Sequence, residues 1–155
     1  KYIKEYVHLD GVTTKIIPTS QMGFKDDFYQ KNPIEIAPTP KGETQKTPLG
    51  TLYGARSGDK GGCANLGVWA KTDAAYSFLF NFLTVTKLKE LMPDLHKYEI
   101  DRYDLPNIKS LNFYIHEILE DGVSSNNRKD GQAKSLGEYL RAKIVDIPCS
   151  ILKEF

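Results

Sequence analysis

A chain of 155 residues can bury one hydrophobic core, and one core is the expectation. With 40% hydrophobic and 26% charged residues it reads as neither disordered nor fibrous, and its formal charge of +1 gives no general pull toward nucleic acid or an anionic membrane. No apolar run reaches the roughly 18 residues that a membrane-spanning helix needs, so no transmembrane segment is expected.

The opening Lys1 is not a start methionine, and no secretory pattern follows it, so the chain is expected to be processed, tagged or truncated. Residues 1–48 are expected to form an extended, proline-rich N-terminal arm. Pro18, Pro33, Pro38, Pro40 and Pro48 break any long period there. Because proline lacks an amide donor and pushes its predecessor toward extended geometry, Asn32 to Pro48 should run as an open connector over a surface. Tyr2, Ile3, Tyr6, Val7, Ile16, Ile17, Phe24, Phe28 and Tyr29 make the arm too apolar for a pure linker. It should therefore lie on this domain or on a partner chain, and a partner is favoured.

Residues 49–155 form the expected folded domain. Leu52, Tyr53 and Ala55 precede a glycine cluster and Leu66 to Ala70 follow it, which predicts two short strands flanking a loop. Ala74, Phe78, Phe82 and Val85, with Leu79, Leu83 and Leu88, recur at helical spacing until Pro93 ends the segment; Thr72 or Asp73 would cap it. Alternation around Tyr98, Ile100 and Arg102, and again at Leu111, Phe113 and Ile115, predicts two strands. Leu111, Ile115, Ile118 and Leu119 also satisfy a helical spacing, so that alternative stays open for Ser110 to Leu119. A second helix is predicted from about Gly131 to Ala142, and a final strand over Ile144 to Ile147. After an extra N-terminal strand, this order predicts an α+β fold. It is the ferredoxin-like split βαβ sandwich, an antiparallel sheet with both helices on one face.

The segment densest in chemistry is Gly54 to Gly62. Glycines permit positive φ and close approach, and successive amides can cradle an anionic oxygen. Arg56 could grip a carboxylate or phosphate with two prongs, Lys60 could add a point charge, and Asp59 could orient one of them. Ser57, Gly58 and Gly61 complete this candidate ligand loop. The same charges fit a structural ion pair, and a tight structural hairpin is an equal alternative to a ligand site. The spacing is neither a Walker loop nor a dinucleotide fingerprint, so no cofactor is assigned. Arg128, Asp130 and Lys134 form a second charged cluster at the predicted start of the second helix. There Asp130 would cap free amides, and the cluster could join the glycine loop in one anion pocket.

Other residues read more plainly. Ser57 lacks a nucleophile elbow, and a distant His116 does not establish a catalytic pair. Cys63 reads as a small packed thiol rather than a reactive one. Cys63 and Cys149 form no disulfide framework or zinc spacing, and His8, His96 and His116 have no ligand spacing, so no metal is expected. A reducing intracellular compartment, cytoplasm or mitochondrial matrix, is the expected address. Trp69 and Phe78 are expected in the core.

The run Ala55-Arg56-Ser57-Gly58-Asp59-Lys60-Gly61-Gly62, followed by Ala64-Asn65-Leu66-Gly67-Val68-Trp69-Ala70, resembles the small carboxy-terminal domain of the acyclic terpene utilisation AtuA-like family. Arg102 to Asn107, Leu111-Asn112-Phe113, Gly122-Val123 and Arg128 to Gly137 extend the resemblance, which covers Leu49 to Pro148. Cys63 departs from it, standing where a more polar residue is expected. The resemblance implies a ferredoxin-like domain, often carried behind a larger α/β domain, in proteins linked to catabolism of branched acyclic terpenoid acids as acyl-coenzyme A thioesters. Three function classes follow. One is a ligand-binding or catalytic-support domain for an acyl-thioester or carboxylate, and another is a non-catalytic interaction subunit docking through its arm onto other protein subunits. A self-sufficient enzyme ranks last, because no acid–base pair, nucleophile triad or metal set assembles. Nucleic acid is not an expected partner.

Overall fold

The computed structural model describes residues 5–16 and 35–154. Tyr2, Ile3, Ile17, Phe24, Phe28, Tyr29, Pro18 and Pro33 of the expected arm lie outside the described residues. The chain divides into two units at Ile34 and Glu35. In the first, β1 (Glu5–Leu9) and β2 (Val12–Ile16) form an antiparallel hairpin, with Leu9 opposite Val12 and Asp10-Gly11 turning at positive φ. Alternation puts Val7, Leu9, Val12 and Ile16 on one face of this hairpin, and all four are exposed.

The second unit is an α+β, ferredoxin-like domain, as the order of predicted elements implied. Its sheet has four antiparallel strands, β4 (Gly54–Lys60), β5 (Cys63–Trp69), β7 (Ser110–Ile115) and β6 (Ile100–Leu105), in the spatial order β4-β5-β7-β6. Strands β5 and β6 are joined through α1 (Asp73–Phe82) and α2 (Val85–Leu91), and β7 lies between them, which is the split βαβ connection. Ala64, Leu66 and Val68 of β5 and Leu111, Phe113 and Ile115 of β7 alternate onto the inner face and are buried there with Leu79, Leu83 and Leu88. Period-two burial over 111–115 marks β7 as strand rather than helix.

The expected single helix from Ala74 to Leu88 is two. Thr72 caps α1 through the Ala75 amide, and Thr84 interrupts the run by capping α2 through the Lys87 amide, so the second threonine starts a new helix. The second predicted helix begins later than Gly131, as α3 (Leu136–Arg141). Ala133 has a φ of 53°, which no right-handed helix accommodates.

Two further differences concern the ends of the domain. The expected open connector closes as β3 (Thr44–Pro48), which pairs antiparallel with β8 (Ile144–Pro148) in a separate two-stranded sheet. Pro48 sits at the strand end, where its missing donor is tolerated. Upstream, Ile36 packs on the core, and the Ser77 hydroxyl donates to the Ala37 carbonyl. Thus β4 holds the sheet edge beside β5, and β8 leaves the main sheet for β3 and continues into the short α4 (Cys149–Leu152).

Candidate functional site

The glycine segment is a strand, not a loop. All seven residues of β4 pair with β5, from Gly54 opposite Trp69 to Lys60 opposite Cys63, leaving Gly61-Gly62 as the turn. Gly61 adopts the positive φ that such a turn requires, at 66°. Gly62 is needed for space, because a Cβ there would lie 2.1 Å from the Glu120 carbonyl oxygen. A concave nest of amides is therefore not formed, since successive amides of an extended strand point to opposite sides.

Alternation divides the candidate residues between the two faces. Arg56, Gly58 and Lys60 point to the outer face, opposite Gly67, Asn65 and Cys63. Continuing across the sheet, the row through Arg56 and Gly67 reaches Asn112 and Tyr103, and the row through Gly58 and Asn65 reaches Tyr114 and Asp101. The Asn65 side-chain amide donates to Asn112 Oδ1 at 3.4 Å, and Trp69 lies over Gly54. Trp69 was expected in the core; its register with Gly54 turns it outward instead, and 41% of it is exposed. Phe78 is buried as expected. Lys60 Nζ donates to the Asp59 carbonyl at 2.9 Å.

Ser57 and Asp59 lie on the opposite side of β4 from Arg56 and Lys60. The expected ion pair within the segment does not form, because neighbouring residues of a strand face apart. Ser57 is buried, and its hydroxyl oxygen accepts the Gly137 amide at 3.1 Å. It thus satisfies an orphan donor in the first turn of α3. His116 is engaged elsewhere, with Nε2 at 2.8 Å from Asp101 Oδ2, so Ser57 and His116 form no catalytic pair.

Part of the second cluster does converge on β4. Asp130 accepts the Lys134 and Ser135 amides at 2.8 Å each and the Ser135 hydroxyl at 2.7 Å. It clasps the turn before α3 rather than capping a helix that starts at Gly131. Burial opposes ionisation of Asp130, but the Ser135 hydroxyl and amide, the Lys134 amide and the Arg128 charge outweigh it and hold the carboxyl below its ordinary range. The clasp presents Lys134 to β4, where its Nζ lies 3.2 Å from the place a Cβ of Gly58 would occupy. Gly58 is the opening that admits this ammonium.

Arg128 does not join that group. Its guanidinium reaches the Tyr98 hydroxyl at 3.5 Å and lines a separate cleft with Pro93, Asp94, His96 and Lys97. The family-like Arg102 is a helix stop, donating to the Phe80 and Leu83 carbonyls at 2.9 and 3.2 Å and to Asp104 at 2.8 Å. Asn65, Asn112 and Tyr103 are outer-face residues that stand inside the runs carrying the resemblance but outside the candidate ligand residues. A period-two reading of Asn65-x-Gly67, in step with Arg56-x-Gly58-x-Lys60, would have placed the first of them. Among the described residues no group of three or more metal-ligating side chains converges, and no helix is long and apolar enough to cross a membrane.

No curated protein and no solved structure matches this chain. A family model described as the AtuA ferredoxin-like domain matches residues 47–146, roughly two thirds of the sequence and the whole four-stranded sheet with its helices. On that match, the chain belongs to the AtuA ferredoxin-like domain family.

Proposed function

We propose that this chain is a ligand-binding or catalytic-support subunit of a larger assembly, and that its outer sheet face takes the carboxylate or acyl-thioester of a branched acid. The observation that carries this reading is the grouping of Arg56, Lys60 and the inserted Lys134 on one face floored by Gly58 and Gly67. A guanidinium grips a carboxylate or phosphate oxygen pair, the ammonium groups add charge, and the side-chain-free Gly67 lets a ligand approach the backbone. Asn65 and Asn112 offer neutral amides beside the same floor, and Trp69 and Tyr103 offer exposed aromatic surface to an acyl chain. A larger AtuA-like α/β domain is the partner that would complete the site. The two free cysteines fit a reducing compartment.

Calorimetry with branched carboxylates and their coenzyme A thioesters, on the chain and on its native assembly, tests the reading. Arg56→Ala should weaken binding by about 10- to 100-fold, the loss of one charge-assisted contact of roughly 1.5–3 kcal/mol. Gly58→Val, which fills the opening without removing a charge, should weaken it as well. Saturable binding by neither the chain nor the assembly would overturn the reading.

A second reading, a non-catalytic subunit that docks on other proteins, is favoured by the β1–β2 hairpin. Val7, Leu9, Val12 and Ile16 expose one apolar face, and a two-stranded hairpin alone is marginal in water. Leu9→Lys with Val12→Lys should then release the chain from its assembly in pull-down measurements. Unchanged retention would remove the hairpin from the docking surface.

A further inference from the structure

The cleft that Arg128 lines has no part in the outer-face reading, and it is an open surface hollow of about 420 Å³ between Pro93, Asp94, His96, Lys97 and Arg128. That volume suits a small molecule. Arg128 Nε is buried and has no hydrogen-bond partner among the described residues. Among the described residues the only hydrogen bond of its terminal nitrogens is the long one to Tyr98, and no carboxylate lies within ion-pair distance of it. A guanidinium has five donors in a fixed fork, and leaving a buried one unsatisfied is costly, so an oxyanion is the natural complement. The surroundings agree. Lys97 stands on the same wall with its ammonium 5.0 Å from the Tyr98 ring centre, and Lys89 Nζ reaches the His96 carbonyl at 3.5 Å. Asp94 is the single acidic residue of the lining, set against Lys97 and Arg128.

We infer that this cleft is a binding site for a phosphate group carried by a small molecule, held by the Arg128 fork with Lys97 as a second cation. Phosphate is favoured over a simple carboxylate because its several charged oxygens can engage the fork and the separate ammonium together. Pro93 gives the remainder of the molecule an apolar wall.

The test is a titration of the full chain with inorganic phosphate, glycerol phosphate and acetate, followed by backbone amide NMR shifts. Both phosphates should produce saturable shifts around residues 93–98 and 128 in the millimolar range, while acetate should bind at least about tenfold more weakly. Arg128→Ala should weaken phosphate binding at least about tenfold, and the exposed Lys97→Ala, which is safe for folding, should weaken it several-fold. Asp94→Asn should strengthen it, because the opposing charge is removed. Arg56→Ala should leave this titration unchanged, so failure of the outer-face reading and failure of this one are distinguishable. Absence of saturable shifts in the wild-type chain overturns the inference, as does equal binding by wild type, Arg128→Ala and Lys97→Ala.

Discussion

Ser57→Ala is the sharpest test of how β4 and α3 are joined. The substitution removes the oxygen that accepts the Gly137 amide at 3.1 Å and leaves that donor in a place from which water is excluded. An unsatisfied buried donor costs about 1–3 kcal/mol, and a loss of about 1–2 kcal/mol is expected because α3 can move outward and admit some water. At this chain length about 4 °C of melting temperature accompanies each kcal/mol, so the midpoint should fall by roughly 4–8 °C. Thermal unfolding followed by circular dichroism or calorimetry reads it directly. Gly137→Ala probes the same seam from the other side, where a Cβ would lie 3.3 Å from the Ala55 carbonyl carbon and the Arg56 nitrogen. Alanine gains up to about 1 kcal/mol of helix propensity, but pressing α3 off a paired strand should cost about 1–3 kcal/mol. The net effect is destabilising, and the double substitution should cost less than the two single ones together, since each loosens the same contact. A shift under about 1 °C for Ser57→Ala would refute the buried cap and return the hydroxyl to the list of available nucleophiles.

Gly62→Ala should destabilise by at least about 1–3 kcal/mol in denaturant unfolding, because its Cβ would meet backbone oxygen, which cannot swing aside as a side chain can. For Asp130 the folded pKa lies below the unfolded value of 3.8, so its contribution is complete above that value and is lost as pH falls through the folded pKa. Asp130→Asn should therefore flatten the acid side of a stability-against-pH profile while lowering stability near neutrality. Arg102→Lys keeps the charge but cannot serve two carbonyls and a carboxylate in one plane, and should cost about 1–2 kcal/mol in the same unfolding assay.

Strand and helix identities in this domain were legible where periodicity is strong. The alternation of Leu111, Phe113 and Ile115 and the three- and four-residue spacing from Ala74 to Leu88 carry their own burial pattern. What escaped is governed by single residues or by distant pairing. Thr84 divides one helical stripe into two by offering a side-chain acceptor, and the left-handed Ala133 delays α3 although alanine favours helices. Thr44–Pro48 carries no strand pattern of its own, since a strand with a proline and only one buried side chain is specified by its partner β8. In the site, the right residue types were visible but their geometry was not. Reading Gly54–Lys60 as a loop placed all its side chains together, whereas a strand sends Ser57 and Asp59 one way and Arg56 and Lys60 the other. The convergence of Lys134 on Gly58 depends on a contact across 76 positions of sequence, which no local pattern encodes.

The β3–β8 pair has a mechanical consequence. Thr44, where β3 begins, stands opposite Pro148, where β8 ends, so the outer ends of these two strands lie side by side. Tension applied between those two points would part the ladder one rung at a time, from Thr44–Pro148 toward Pro48–Ile144, instead of shearing all its hydrogen bonds at once. The domain should therefore open at low force in a single-molecule pulling experiment, with the two-stranded seam yielding before the four-stranded sheet. Cut at residue 49, the chain would lack one side of that seam, so an excised domain that keeps β8 in place has to begin upstream of Glu43, whose carbonyl accepts the Cys149 amide.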